Sequence, residues 1–523
     1  MRGPMAETQR VALGFLLSCC VFLSSCSQDG DVDQLNQVPR GASEHPNVLL
    51  IVVDDLRCSL GSYGDATAVS PNIDALCRRG MRFDRAYVQI AACNPSRVAM
   101  MTGLRPDTSG VRRLATPFRN NVPDVTTLPE HFMAHGYHTV GRGKVYHLKF
   151  PDPQSWSEPH RVSKTPVKYW TERQWDLLTQ VRERLRREGR PDNVIKNLRP
   201  PTTCDADVPD RLRHEGAMTN ATLATLRRVA KGKQPFFMAV GYVNPHLPFN
   251  APRKYWDLYD RENLPEAKNP FPPDGAPHVA MNTMHELRYH CDFTEVPRPW
   301  EGVLAEADRR RLVHGYLAAV SFVDAQVGRL MAEIDRLGLA DNTVVVFWSD
   351  HGFKLGEHGS WGKKTNYEID TRVPLIVIDP RIEMAGRSTS ALVESVDLYP
   401  TLCELAGLPV PAHVEGTSFK PLLAKPDLPW KEAAFSQFLR DLVPEHDEVR
   451  GNAVRTKRYR YVTWRAHATD ELLHEELYDH AGDPQENTNV IDRPVYNEAL
   501  IRLRELQQQG WRAALPRSLR PDL

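Results

Sequence analysis

Two continuous apolar runs, each ending in a charged pair, limit what this chain can fold into more than any other feature. Asn47-Val48-Leu49-Leu50-Ile51-Val52-Val53 leads into Asp54-Asp55, and far downstream Thr343-Val344-Val345-Val346-Phe347-Trp348-Ser349 leads into Asp350-His351-Gly352. Neither run alternates apolar with polar residues, so both read as parallel strands buried on both faces. Residues 235–242 and 374–378 read as two more strands. Helical patterns lie between them, most clearly over residues 316–337, where Gly338 marks the stop. Strands alternating with helices predict an α/β fold, a large, mostly parallel sheet sandwiched by helices. Ligands in such folds bind beyond the carboxyl ends of the strands, and both acidic pairs stand at that edge.

The 523 residues suit one large domain and a smaller one. Character changes near residue 430. Residues 452–462 read as one strand with charged partners, Glu476-Leu477-Tyr478-Asp479 leads into the turn-rich Asp483-Pro484, and a helix is expected from 496 to about 512. The expected organisation is a large domain over 46–430 and a C-terminal α+β subdomain over 431–523. No internal repeat is evident. Lysines and arginines number 66, as do aspartates and glutamates, so no global charge points to nucleic acid, and an anionic substrate would need a local basic pocket.

The N-terminus reads as a targeting segment. Arg2 and Arg10 precede an apolar run over 11–23, too short to span a bilayer as a mature helix. Leu23-Ser24-Ser25-Cys26 looks like a bacterial lipobox, with an ordinary secretory signal cut nearby as the alternative. The expectation is a lipoprotein-type signal over 1–26, a polar tether over 27–45 and export to the cell envelope, with the membrane met only through a lipid on Cys26. Cys58, Cys77, Cys204, Cys291 and Cys403 show no framework spacing, so no specific bridge is predicted, and no CxxC pair suggests zinc.

Carboxylates gathered at one sheet edge call for a cation, and several carboxylate oxygens favour a hard ion such as Ca²⁺ or Mg²⁺. Asp54-Asp55 alone reads as a turn cap; Asp350 beyond a second apolar strand tips the reading toward a metal site. His351 suits a hard ion less well than a carboxylate does, and a purely hydrogen-bonding role stays open. Cys93-Asn94-Pro95-Ser96-Arg97 stands at the start of a helix expected over 95–101, whose N-terminus suits a sulfate or phosphate. Arg97 lies in the first turn, where the helix dipole disfavours cations, which makes sense if it pairs with an anion or with the metal carboxylates. Lys144 and His147 lie three residues apart, His246 sits on the Pro-flanked loop Asn244-Pro245-His246-Leu247-Pro248-Phe249, and a glycine-rich loop ends in Lys363-Lys364.

Cys93 to Arg97, with Thr102-Gly103 and Arg105-Pro106-Asp107-Thr108, resembles the maturation and active-site motif of type I sulfatases of the alkaline-phosphatase superfamily. From Asn47 to about Val490 the chain resembles that family, most closely its iduronate-2-sulfatase branch. Asp54-Asp55, Gly143-Lys144-Val145-Tyr146-His147, Pro245-His246-Leu247-Pro248-Phe249, Ser349-Asp350-His351-Gly352 and Leu355-Gly356-Glu357-His358-Gly359 carry the likeness. Phe353 stands where that branch often has Trp, which bears on the substrate pocket.

The resemblance implies that Cys93 is oxidised by a maturation enzyme to 3-oxoalanine (formylglycine), whose hydrate is the nucleophile. It implies a Ca²⁺ bound by Asp54, Asp55, Asp350, His351 and residue 93. Arg97 would steady the hydrated aldehyde, Lys144 and Lys363 would bind sulfate oxygens, and His147 and His246 would move protons, His246 toward the leaving sugar oxygen. The implied substrate is a sulfated oligo- or polysaccharide, with 2-O-sulfated uronic acid foremost. Phosphate or phosphonate monoester hydrolysis on the same scaffold is the alternative. A non-enzymatic binding lipoprotein would be expected to have lost the nucleophile or ligands, and none is missing.

Overall fold

The computed structural model describes residues 45–162, 170–443 and 446–520. The signal segment and the tether up to residue 44 lie outside the described residues.

The strands of the larger sheet are β1 (Asn47–Val53), β2 (Met81–Tyr87), β3 (His138–Gly143), β4 (Phe236–Tyr242), β5 (Thr343–Ser349), β6 (Arg372–Ile378), β7 (Arg387–Thr389) and β8 (Val393–Glu394). They form an eight-stranded sheet in the order β7-β2-β6-β5-β1-β4-β3, with β8 also pairing with β2. The pairs β3·β4, β4·β1, β1·β5, β7·β2 and β8·β2 are parallel; only β6 runs against its neighbours. The strand read from Pro374 begins two residues earlier, at Arg372, and the register with β2 shifts between Val373 and Leu375. A bulge is a place where a sheet tolerates a proline that cannot donate to the ladder.

Helices cover both faces: α1 (Pro71–Arg79), α2 (Cys93–Thr102), α3 (Leu128–Ala134), α4 (His214–Val229), α5 (Glu306–Arg336) and α6 (Leu398–Leu405). Side chains of β1 alternate between two cores. Leu49, Ile51 and Val53 pack with Leu317, Val320 and Ile334 of α5 and Leu226 of α4, whereas Val48, Leu50 and Val52 pack with Met100 of α2, Phe132 of α3 and Leu402 of α6. This is why the run shows no polar residue at period two. Burial of each such side chain contributes about 1.5–3 kcal/mol. Helix α5 starts ten residues before the expected helix, because Leu312 and Val313 extend its apolar face.

The second sheet is an antiparallel meander of β9 (Ala433–Val443), β10 (His446–Thr456), β11 (Tyr459–Ala466) and β12 (Leu472–Asp479). A single strand over 452–462 is therefore corrected to the end of β10 and the start of β11. The exposed Lys457 and Arg458 make the turn, and Thr456 Oγ1 accepts from the Tyr459 N–H at 2.9 Å. A run of polar and β-branched residues does not distinguish one strand from two strands joined by a short turn. Helix α7 (Asn497–Gln509) packs Leu500, Leu503 and Leu506 on Val454, Tyr461 and Leu477. Strand β9 also steadies the segment between β2 and α2. Gln437 N–H donates to the Gln89 carbonyl at 2.8 Å and Ser436 Oγ to the Val88 carbonyl at 2.6 Å.

Candidate active site

The strand order places four chain segments side by side at one sheet edge. Lys144 follows β3, His246 follows β4, Asp54-Asp55 follow β1 and Asp350-His351 follow β5. Val53 is in register with Ser349, so the two acidic pairs leave adjacent parallel strands at the same level. Asp55 sits at φ 60°, a left-handed conformation that costs a residue with a side chain about 1–2 kcal/mol. It is held there by its N–H donating to Asp350 Oδ1 at 3.2 Å and its carbonyl accepting from Tyr316 OH at 2.8 Å.

Cys93 opens α2 and is buried. Ser96 Oγ donates to the Asp350 carbonyl at 2.5 Å, tying the first turn of α2 to the end of β5. Arg97 is wholly buried. Its Nε donates to Asp350 Oδ2 at 2.7 Å and its Nη2 to Asp54 Oδ1 at 3.1 Å, while Nη1 donates to the carbonyls of Lys144 and Val145. Arg97 thus joins both acidic strand ends to the chain leaving β3, and its planar fork suits that bridging. Arg97 itself supplies part of the positive charge that the gathered carboxylates call for. Lys144 Nζ pairs with Asp54 Oδ2, and Lys363 Nζ pairs with Asp55 Oδ2 at 2.8 Å.

The remaining carboxylate oxygen carries the test for a metal. Asp55 Oδ1 is buried with no hydrogen-bond partner. One ligand atom each from Asp54, Asp55, Cys93 and His351 lies within 4.8 Å of the others. His351 Nδ1 donates to the Gly352 carbonyl at 3.0 Å, which leaves Nε2 facing Cys93 Sγ at 3.3 Å and Asp55 Oδ1 at 3.4 Å. These donors fit a divalent cation, with carboxylates for a hard ion and one imidazole held by an outer carbonyl. Burial opposes protonation of His351, but Asp350, Cys93 and Asp55 push it up to about 10, so an imidazolium and a divalent ion would compete for this place. Burial also raises Asp55, to about 7 despite Lys363 and His351. Burial would raise Asp54 too, yet Lys144 and Arg97 hold its carboxyl well below the usual range.

His246 is half-buried, and its Nδ1 donates to the Leu247 carbonyl at 2.6 Å. Burial, then Lys363, hold the imidazole well below its ordinary value. His147 is half-buried, and burial with Lys144 pushes it down to about 4. His358 of the glycine-rich loop turns away, its Nε2 bonding to the Gln485 carbonyl at 2.8 Å. Phe353 is buried against Tyr316 and Phe249, with Lys363 Nζ 5.8 Å from its ring centre. Two site residues were missed from the sequence. Glu286, from the proline-rich stretch, pairs with Lys363 Nζ at 2.7 Å, and Tyr316 of α5 supports Asp55. Neither lies in a motif, and only the fold brings them near. A cleft of about 770 Å³ between the second sheet and Arg105–Asp107 holds none of these site residues.

Close backbone approach sets Lys144. The Lys144 N–H donates to the Gly241 carbonyl at 2.8 Å, and a Cβ at position 241 would meet the Lys144 carbonyl at 2.1 Å. Gly241→Ala is expected to destabilise the protein by about 1–3 kcal/mol and to lower turnover. A denaturation midpoint equal to wild type would refute this.

The sulfatase family profile matches residues 46–408, and a profile described as N-sulphoglucosamine sulphohydrolase, C-terminal, matches residues 356–511. The chain is similar to iduronate 2-sulfatase of Mus musculus, 34% identical over 555 residues that cover 95% of this chain and 97% of that protein. A structure solved in complex with its substrate D-glucosamine-2-N,6-O-disulfate matches with a TM-score of 0.71 at 23% identity, covering 89% of this chain and 97% of that one. The phosphonate monoester hydrolase of Agrobacterium radiobacter matches with a TM-score of 0.65 at 23% identity, covering 91% and 97%. These two structural likenesses speak to the fold.

Proposed function

This chain belongs to the sulfatase family, and from that premise we propose that it removes the 2-O-sulfate of a uronic acid, such as iduronate 2-sulfate, in a glycosaminoglycan-like polysaccharide. It is a sulfuric ester hydrolase. The extent of its likeness to iduronate 2-sulfatase, which runs through nearly the whole of both chains, carries the reading of the sugar.

Converted to formylglycine, residue 93 would supply an aldehyde hydrate as nucleophile toward sulfur, and a Ca²⁺ held by Asp54, Asp55, Asp350 and His351 would supply positive charge beside it. Lys144 and Lys363 offer ammonium groups to the non-bridging sulfate oxygens, where charge builds in the transition state. Arg97 acts through the carboxylates it joins and is a positioning residue. His147, neutral near pH 7, suits taking up a proton. His246 gives its proton to the leaving sugar oxygen. Desolvation of its ring, with Lys363 and Lys144 nearby, keeps it neutral in the free protein, and an anionic ester arriving between those lysines offsets their repulsion and favours its protonation.

The same proposal includes a maturation enzyme that oxidises Cys93 and export to a bacterial cell envelope with a lipid on Cys26. No described helix is long and apolar enough to cross a membrane.

The test is sulfate release by the matured protein from defined sulfated oligosaccharides. A 2-O-sulfated uronic acid at the non-reducing end is expected to be the best substrate; preferred cleavage of another sulfate position, or of phosphate or phosphonate esters, would overturn the reading. His246→Ala is expected to lose roughly 10²–10⁴-fold in kcat on the sugar sulfate and far less on 4-nitrophenyl sulfate, whose leaving group needs no proton. Equal losses on both would remove His246 from the acid role.

A further inference from the structure

We infer that Glu286 is a specificity-determining residue: its carboxylate, set against the lysine that faces the sulfate, favours esters carrying one negative charge over esters carrying two. The inference rests on the reading of Lys363 as an anion-binding residue given above.

Glu286 lies in the short helix His285–Arg288, outside every motif of the chain. Its Oε2 is 2.7 Å from Lys363 Nζ, and its Oε1 is 3.7 Å from Lys364 Nζ. Lys363 Nζ also pairs with Asp55 Oδ2 at 2.8 Å, so one ammonium is shared between two carboxylates. An ammonium divided in this way attracts an incoming anion less than one paired once. Ligand atoms of Glu286, Asp55 and His246 lie within 4.8 Å of one another, which places the Glu286 charge beside the proposed proton donor as well. Lys363 Nζ pairs with both carboxylates of that trio and supplies the positive charge there.

Asp54, Asp55 and Asp350 are bound to Arg97, Lys144 and Lys363 and frame the cation cluster. Glu286 is different: 21% of its side chain is exposed, whereas those three aspartates are wholly buried. Placed against Lys363, it would meet an ester bound at that ammonium as a like charge. Coulomb repulsion scales with the charge of the ligand. A sulfate monoester and a phosphonate monoester each carry one negative charge, whereas a phosphate monoester near pH 8 carries two. All three present a tetrahedral centre; the phosphonate matches the sulfate in charge and the phosphate in its central atom, so the set separates charge from the identity of that atom.

The experiment compares wild type, Glu286→Gln and Glu286→Asp, all matured, on three esters with the same leaving group: 4-nitrophenyl sulfate, 4-nitrophenyl phenylphosphonate and 4-nitrophenyl phosphate. In Glu286→Gln, kcat/KM for the phosphate is expected to rise by about tenfold or more relative to both singly charged esters, and Glu286→Asp is expected to restore much of the wild-type ratio. Loss on all three substrates in parallel would mean that Glu286 only props Lys363, and would overturn the inference. An equal gain for phosphate and phosphonate would overturn it too, because phosphorus and not charge would then be the cause. The same ratios read as dissociation constants on Cys93→Ala need no turnover. A wild-type protein inactive on sulfate esters would sink the proposed function, while the phosphate-to-phosphonate ratio would still report on Glu286.

Discussion

Cys93→Ala is expected to abolish sulfate release, a loss of roughly 10⁴-fold or more in kcat, in a protein that folds as wild type does. Cys93 is buried at the first turn of α2. Alanine keeps the helix and, among the described residues, gives up the side-chain hydrogen bond between Sγ and His351 Nε2. Large loss of activity with small loss of stability is the signature of a reacting group. Cys93→Ser is expected to behave differently. A hydroxyl in that place can accept the sulfuryl group once, but it lacks a second hydroxyl to expel sulfate, so a single turnover followed by arrest should appear in a burst experiment. Mass spectrometry of the peptide carrying residue 93 should show an aldehyde or its hydrate when the protein is made alongside a maturation system. Turnover by a protein with an intact thiol there would rule out the proposed nucleophile.

Arg97→Met is expected to destabilise the protein by about 3–5 kcal/mol, far more than the loss of a surface arginine. Arg97 is fully buried and lies between Asp54 and Asp350, with further donors on the carbonyls of Lys144 and Val145. Methionine fills much of the volume but leaves two buried carboxylates close together without their shared counter-charge. Burial opposes ionisation of Arg97, yet Asp350 and Asp54 hold its pKa above the ordinary value, so the charge is present at every working pH. Arg97→Lys keeps a charge but loses the planar fork, and should fall between the two. The check is the urea midpoint, read with turnover. An unchanged midpoint in Arg97→Met would show that the carboxylates find another partner and that Arg97 is not what holds the two strand ends together.

Much of this site was legible before any fold was known, and the reasons are specific. Asp54, Asp55, Asp350 and His351 each follow an uninterrupted apolar run, and β1 and β5 prove to be adjacent parallel strands with Val53 opposite Ser349. Cys93, Arg97, Lys144, His246 and Lys363 belong to short local motifs, and the structure brings all of them to the same edge. The hairpin at Lys457-Arg458 was not legible, because its turn carries neither glycine nor proline and both flanking strands are rich in the same residue types. Pro374 was read as the start of a strand, but it stands inside one at a shift of register. Glu286 and Tyr316 had no signal at all, since a glutamate among prolines and a tyrosine on a long helix are ordinary residues until packing sets them against Lys363 and Asp55.

By itself, the sequence determined the kinds of group available and which of them sit at strand ends. Period and turn chemistry act over a few residues, and the motif that marks Cys93 is local. The pairing was decided only by the tertiary structure. Arg97 could have faced solvent or a substrate; burial between two strand ends makes it the strut between Asp54 and Asp350. Lys363 could have faced the sulfate alone; Glu286, 77 positions earlier in the chain, divides its charge. Electrostatic interactions depend on distance and burial, and for groups this far apart in sequence both are set by how the chain folds back on itself.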